Sequence, residues 1–149
     1  MKKILISLLT LALVTIFAGS TQVSASSNQD FNFDDNKPEL SQYNLKPVNF
    51  GSYSFEDDKL ILNNERVYNT QEFEINHKYR LTLKNATGRL TVFNGIADIQ
   101  AFDLTKPETV SYEFTLRKSN NEEKPGYSTI GIGSYGTASF SGYSIEKLN

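Results

Sequence analysis

Few side chains in this sequence are equipped for covalent or acid–base chemistry. His77 is the single histidine and there is no cysteine, so a Ser-His-acid triad has one possible base and thiolate chemistry has none. His77 falls between Asn76 and Lys78 at an apparent turn, a position that predicts exposure rather than a buried catalytic pair. Carboxylates are plentiful, and a glycosidase needs two of them across a sugar. Glu113 stands out because it lies mid-strand on the face opposite Tyr112 and Phe114, yet no second acid is paired with it by pattern. We assign no catalytic residue and expect no enzyme. A hydrolase would have to rest on His77 and Glu113.

Metal sites rich in imidazole or thiolate are excluded by count, which leaves oxygen-ligand sites for a hard ion such as calcium. Asp34 with Asp35, or Asp57 with Asp58, would supply them, but neither pair lies in a loop of alternating carboxylates, so both read as solvated. No metal and no cofactor are expected. The run Gly131-Ile-Gly133-Ser-Tyr-Gly136 matches the dinucleotide fingerprint as text. That fingerprint requires a helix after the glycines, with its N-terminus facing a pyrophosphate. Here Thr137 to Glu146 continues as another strand, so the glycines read as a tight hairpin or the side of a shallow groove.

The aromatic residues fit binding better than catalysis. Tyr127, Tyr135 and Tyr143 fall in a final quarter rich in Gly, Ser and Thr. A tyrosine offers a flat apolar face with a hydroxyl at its edge, suited to sugar rings and protein surfaces. Phe93 follows the inward-facing Leu90 and Val92 in a way that turns its ring outward. The ligand-binding residues expected from these patterns are Arg80, Phe93, Glu113, Arg117, Tyr127 and Tyr135.

The elements that must position them begin behind an export leader. Lys2 and Lys3 precede an apolar stretch from Ile4 to Ala18, and Val23-Ser24-Ala25 suits a signal peptidase. Residues 1–25 are therefore expected to be a cleaved signal peptide, and the protein to be secreted. Removing Lys2 and Lys3 from the 15 basic residues leaves 13 against 17 acidic, a net charge near −4. That balance argues against nucleic acid as a partner, and the mature chain has no apolar run long enough for membrane insertion. Residues 26–48 are polar, acidic at Asp30, Asp34 and Asp35, and interrupted by Pro38 and Pro47, which reads as a flexible extension.

From residue 49 to 149 the pattern has period two. In Lys78 to Lys84, Tyr79, Leu81 and Leu83 face one way and Arg80, Thr82 and Lys84 the other; Ser111 to Arg117 repeats the pattern. Further strands are expected at Asn49 to Phe55, Lys59 to Leu62, Gln71 to Ile75, Arg89 to Phe93, Ile96 to Phe102, Ser128 to Ile132 and Ala138 to Lys147. Turns fall between them at Thr87-Gly88, Asn94-Gly95 and Lys106-Pro107. The class is all-β, an antiparallel β-sandwich.

Three stretches carry a family likeness. Glu74 to Gly88 resembles the opening turn, tyrosine and alternating strand of galactose-binding-like jelly rolls, the scaffold of many carbohydrate-binding modules. Val110 to Leu116 is similar to their central strand, and Gly136 to Leu148 to their closing strand. The resemblance implies a jelly-roll-like sandwich and a non-catalytic domain that binds a glycan or cell-wall polymer. The chain lacks the tryptophan such modules commonly use as a sugar platform, and Ser141 with Gly142 stand where many have an aspartate tied to calcium. The other reading is a secreted protein-interaction module, an inhibitor or a binder of an extracellular or surface protein, working through an edge strand or the extension.

Overall fold

A computed structural model describes residues 28–95, 97–119 and 122–149. The expected leader, residues 1–25, lies outside them. Eleven strands appear in order: β1 (Gln29–Asn32), β2 (Leu45–Pro47), β3 (Ser52–Glu56), β4 (Lys59–Asn63), β5 (Arg66–Asn69), β6 (Phe73–Glu74), β7 (Lys78–Asn94), β8 (Ala97–Thr115), β9 (Tyr127–Ser128), β10 (Gly131–Phe140) and β11 (Gly142–Lys147). Every pairing is antiparallel. Among the described residues one 3-10 turn spans Leu40–Tyr43, and no helix is long and apolar enough to cross a membrane.

The long strand β7 organises the molecule. Its first half, Tyr79 to Lys84, pairs with β11, and its second half, Thr87 to Phe93, pairs with β10, while β8 runs along the other edge of both halves. Between the halves the register slips at Ala86 and Gly88, and Asn85 and Gly88 hold positive φ. Such irregularities bend a strand and raise its twist. The sheet therefore curls over itself, and its two parts enclose one core from Leu60, Leu62, Leu81, Leu83, Leu90, Val92, Ile132, Phe140 and Ile145. The two strands expected on either side of Thr87-Gly88 are thus one strand with a bend. Those expected on either side of Lys106-Pro107 are likewise one, β8. Conversely, the single strand expected over Ala138 to Lys147 breaks at Ser141.

The extension expected over residues 26–48 is corrected from Asn28 onward, because it belongs to the sandwich. β1 pairs with β11 and β2 with β5. Phe33, Leu40, Tyr43 and Leu45 are buried in the core. The Phe33 ring meets Tyr43 edge-on at 4.9 Å and Phe140 at 5.3 Å. Tyr43 also donates its hydroxyl to the Lys37 carbonyl at 2.8 Å and accepts the Asp34 N–H at 2.9 Å. Burial here is carried by aromatic rings spaced among turn-forming polar residues, a pattern with no period to read.

Candidate functional site

The second half of the curled sheet places β5, β10, β7 and β8 side by side. Its ladders align Tyr68, Gly131, Phe93 and Asp98 in one row, and Arg66, Gly133, Thr91 and Ala101 in the next. Tyr135, Arg89 and Asp103 form the third. Because Val67, Ile132, Leu90 and Val92 take the core side, these rows project from the opposite face. Gly131 and Gly133 leave the middle of that face without side chains, so neighbouring groups lie down on the backbone. The Phe93 ring covers Gly131, where an added Cβ would be 2.2 Å from Cζ, and the Arg66 stem covers Gly133, where it would be 3.0 Å from Cγ. The two strand glycines of the apparent dinucleotide motif thus floor this face, the trough, beneath the Phe93 ring and the Arg66 stem.

Charge and hydrogen bonding fix the groups above that floor. The Arg66 guanidinium caps the Phe93 ring at 5.0 Å and pairs through Nη1 with Asp98 Oδ1 at 3.1 Å. Tyr135 donates its hydroxyl to Asp98 Oδ2 at 2.5 Å, and Arg66 Nη2 reaches the same hydroxyl oxygen at 3.5 Å. Arg89 lies over the Tyr135 ring at 5.1 Å. The hydrogen bond to Asp98, reinforced by its charge, holds the Tyr135 phenol above its ordinary pKa. Tyr135 therefore stays a neutral donor through the physiological range. Even so restrained, it is 46% exposed. Thr91 Oγ1, beneath the Arg66 stem, is buried without a hydrogen-bond partner, as is Ser128 Oγ elsewhere. Outside these rows, Phe50 is 75% exposed, its N–H held by the carboxylate of Glu65, the residue that precedes Arg66.

The residues expected from sequence separate into groups. Phe93 and Tyr135 share this face, but Phe93 is 5% exposed, which corrects the expectation of an outward, unpartnered ring. Its side is as predicted; Gly131 lets it lie flat and Arg66 closes over it. Arg80 and Glu113 meet at the far end of β7, with Nη2 to Oε1 at 2.6 Å. Lys78 adds a contact to Glu113 at 2.9 Å and Glu146 one to Arg80 at 3.0 Å. Hydrogen bonds from Lys78 and then Arg80 lower the Glu113 pKa, and the Glu113 contact raises that of Arg80, so these charges answer one another. Arg117 is exposed just past β8. Tyr127 stands apart, beside a cleft of about 650 Å³ lined by Thr70, Gln71, Glu72 and Lys124. Arg66, Arg89 and Asp98 were missed. The readable signal for them was a strand carrying Gly at alternate positions beside alternating Arg and Thr.

His77 contacts the Asn149 carbonyl oxygen at 2.8 Å and Glu74 at 3.2 Å, just before the start of β7, whose opposite half carries Arg89 and Phe93. No group of three or more potential metal ligands occurs among the described residues. Asp35 and Asp58 instead exchange hydrogen bonds with each other's backbone N–H at 2.8 and 2.9 Å.

No family model matches the sequence, and no curated protein is similar to it in sequence. Among solved structures, the chain is similar to a family 29 carbohydrate-binding module from Piromyces equi, with 13% identity, 83% of this chain and 91% of that one covered, and a TM-score of 0.47. It is also similar to the low-affinity xylan-binding module CBM86 from Roseburia intestinalis, with 17% identity, coverage of 80% and 95%, and a TM-score of 0.43. A CBM36 domain of a multidomain xylanase from the hindgut metagenome of Trinervitermes trinervoides has 12% identity, coverage of 70% and 97%, and a TM-score of 0.42.

Proposed function

We propose that this protein is a secreted, non-catalytic binding domain for a glycan or cell-wall polymer, held in the glycine-floored trough. The observation that carries the reading is the restrained exposure of Tyr135. Its ring is fixed by Asp98 at the hydroxyl and by Arg89 over the π-face, yet much of it stays open. A pre-ordered aromatic surface loses little entropy on binding, and flanking guanidinium groups offer donors to sugar hydroxyls. Affinity electrophoresis in gels containing xylan or other wall polysaccharides tests it: retardation of the native domain, lost in Tyr135→Ala, supports the reading. Unretarded migration in every polysaccharide, with no signal on a broad glycan array, contradicts it.

One observation favours a second reading. β8 pairs only with β7, so the outer edge of a 19-residue strand is unpaired among the described residues. Such an edge accepts an added strand from a protein partner. Loss of a partner's binding on Thr109→Pro, with the trough untouched, would favour this reading over the glycan one.

A further inference from the structure

We infer that two copies of this protein pair edge to edge through the second half of β8, residues 109–115, as a symmetric dimer; this names the occupant for the strand-addition reading and rests on it. The backbone sets which groups are offered. Leu116, just past β8, turns its N–H and its carbonyl toward β7, to the His77 carbonyl and the Asn76 N–H. Alternation along an antiparallel strand then aims Phe114, Tyr112 and Val110 at β7 and points the N–H and C=O of Thr115, Glu113 and Ser111 away from it. β8 has no other neighbour among the described residues, and these three residues are exposed. On the core side Val110 and Tyr112 are only partly buried, and the Tyr112 ring stacks on that of Phe114 at 6.0 Å. Core packing therefore runs out to the open edge.

Such an edge fits a strand of the same alternation, and a second copy supplies one. A two-fold axis at Tyr112 sets Tyr112 against its counterpart, Val110 against Phe114 of the second copy, Ser111 against Glu113 and Thr109 against Thr115, so apolar groups meet on the core side. An axis at Glu113 would face two carboxylates, and one at Phe114 would run off the end of β8. One at Ser111 would put Pro107, which has no N–H, opposite Thr115. In the register centred on Tyr112, Glu113 keeps its own Lys78 and Arg80. Pro107 stops the pairing before it reaches Asp98, so each trough stays open. A dimer then offers two troughs to one polymer, which raises avidity without a new sugar contact.

Sedimentation equilibrium combined with amide hydrogen exchange tests this. The mass of the native protein is expected to rise toward twice that of the monomer with concentration, and exchange at Ser111, Glu113 and Thr115 to slow in step. Ser111→Pro and, separately, Thr115→Pro each remove one outward N–H and leave the ladder to β7 complete. Each should move dimerisation to about tenfold higher concentration, the loss of two hydrogen bonds per dimer, with circular dichroism unchanged. A monomer at every concentration, with those amides exchanging freely, would overturn the inference and leave the edge open to a different protein. A monomer with those amides protected would overturn the strand-addition reading as well. A dimer indifferent to both proline variants would overturn the inference by placing the contact elsewhere.

Discussion

The ring of Phe93 lies against the backbone of Gly131, so close that a methyl group there would sit 2.2 Å from Cζ. This contact buries an aromatic residue on the face away from the core and seats the Arg66 guanidinium that covers it. Gly131→Ala must swing the ring out and lift Arg66 with it. The expected cost is about 1–3 kcal/mol of stability, as for other overpacked sites, with at least a severalfold loss of glycan affinity. Chemical denaturation and calorimetry on the same sample measure both.

Tyr135 is held by its hydroxyl at Asp98 and by its ring under Arg89. Tyr135→Phe keeps the surface and releases the tether, so affinity should fall by about two- to fivefold; Tyr135→Ala removes the surface and should lose tenfold or more. Because the residue is exposed, both variants should stay folded, with circular dichroism like that of the native protein. A stable Tyr135→Ala that binds normally would exclude the ring from the site.

The bend in β7 depends on Gly88. Its φ of +86° disfavours any side chain, and an added Cβ would lie 2.7 Å from the Thr137 carbonyl oxygen and 2.8 Å from Ala138 Cα. Neither backbone atom can move aside cheaply. Gly88→Ala should destabilise by more than about 1 kcal/mol, visible as a lowered melting temperature, and should loosen the trough, which lies just beyond the bend.

Two buried tyrosines predict a sharp alkaline limit. Burial raises the Tyr79 pKa to about 12 and raises that of Tyr143 as well. Both phenols are neutral in the fold and ionise more easily in the unfolded chain, near 10. The stability they confer is complete below about pH 10 and is lost as pH rises from there through the folded values. Unfolding above pH 10 should therefore coincide with a step in phenolate absorbance, whereas gradual ionisation with intact circular dichroism would contradict the burial.

Residues 28–48 should be indispensable. Phe33→Ala removes a ring packed on Tyr43, Phe55 and Phe140, for an expected cost of about 3–5 kcal/mol. Deleting residues 26–47 should leave an unfolded chain in circular dichroism. A folded, truncated domain would restore the reading of a dispensable extension.

How far the sequence is legible follows from where its periodicity is clean. Tyr79, Leu81 and Leu83, like Phe114 and Leu116, alternate without interruption, and the structure buries them. β1 and β2 escape notice because Phe31, Phe33, Tyr43 and Leu45 are interleaved with Asp, Asn and Pro that serve turns, leaving no run long enough to show a period. The bends at Asn85–Gly88 and Thr105–Thr109 resemble hairpin turns locally; only tertiary pairing reveals that both strands continue past them. At the candidate site, the side taken by Phe93 is readable from Leu90 and Val92. Its cover is not, since Arg66 and Gly131 reach it from strands distant in sequence. That Arg80 and Glu113 sit in a charge network is hidden for the same reason: their partners Lys78 and Glu146 are set by the register of three strands.

The most direct test of the account is a chemical-shift map of the isotope-labelled domain titrated with xylohexaose. The account predicts saturable shifts confined to Arg66, Arg89, Thr91, Asp98 and Tyr135 and their neighbours, with the Arg80–Glu113 end of β7 unmoved. Shifts clustered at β8's outer edge, around Tyr127, or nowhere at all would contradict it.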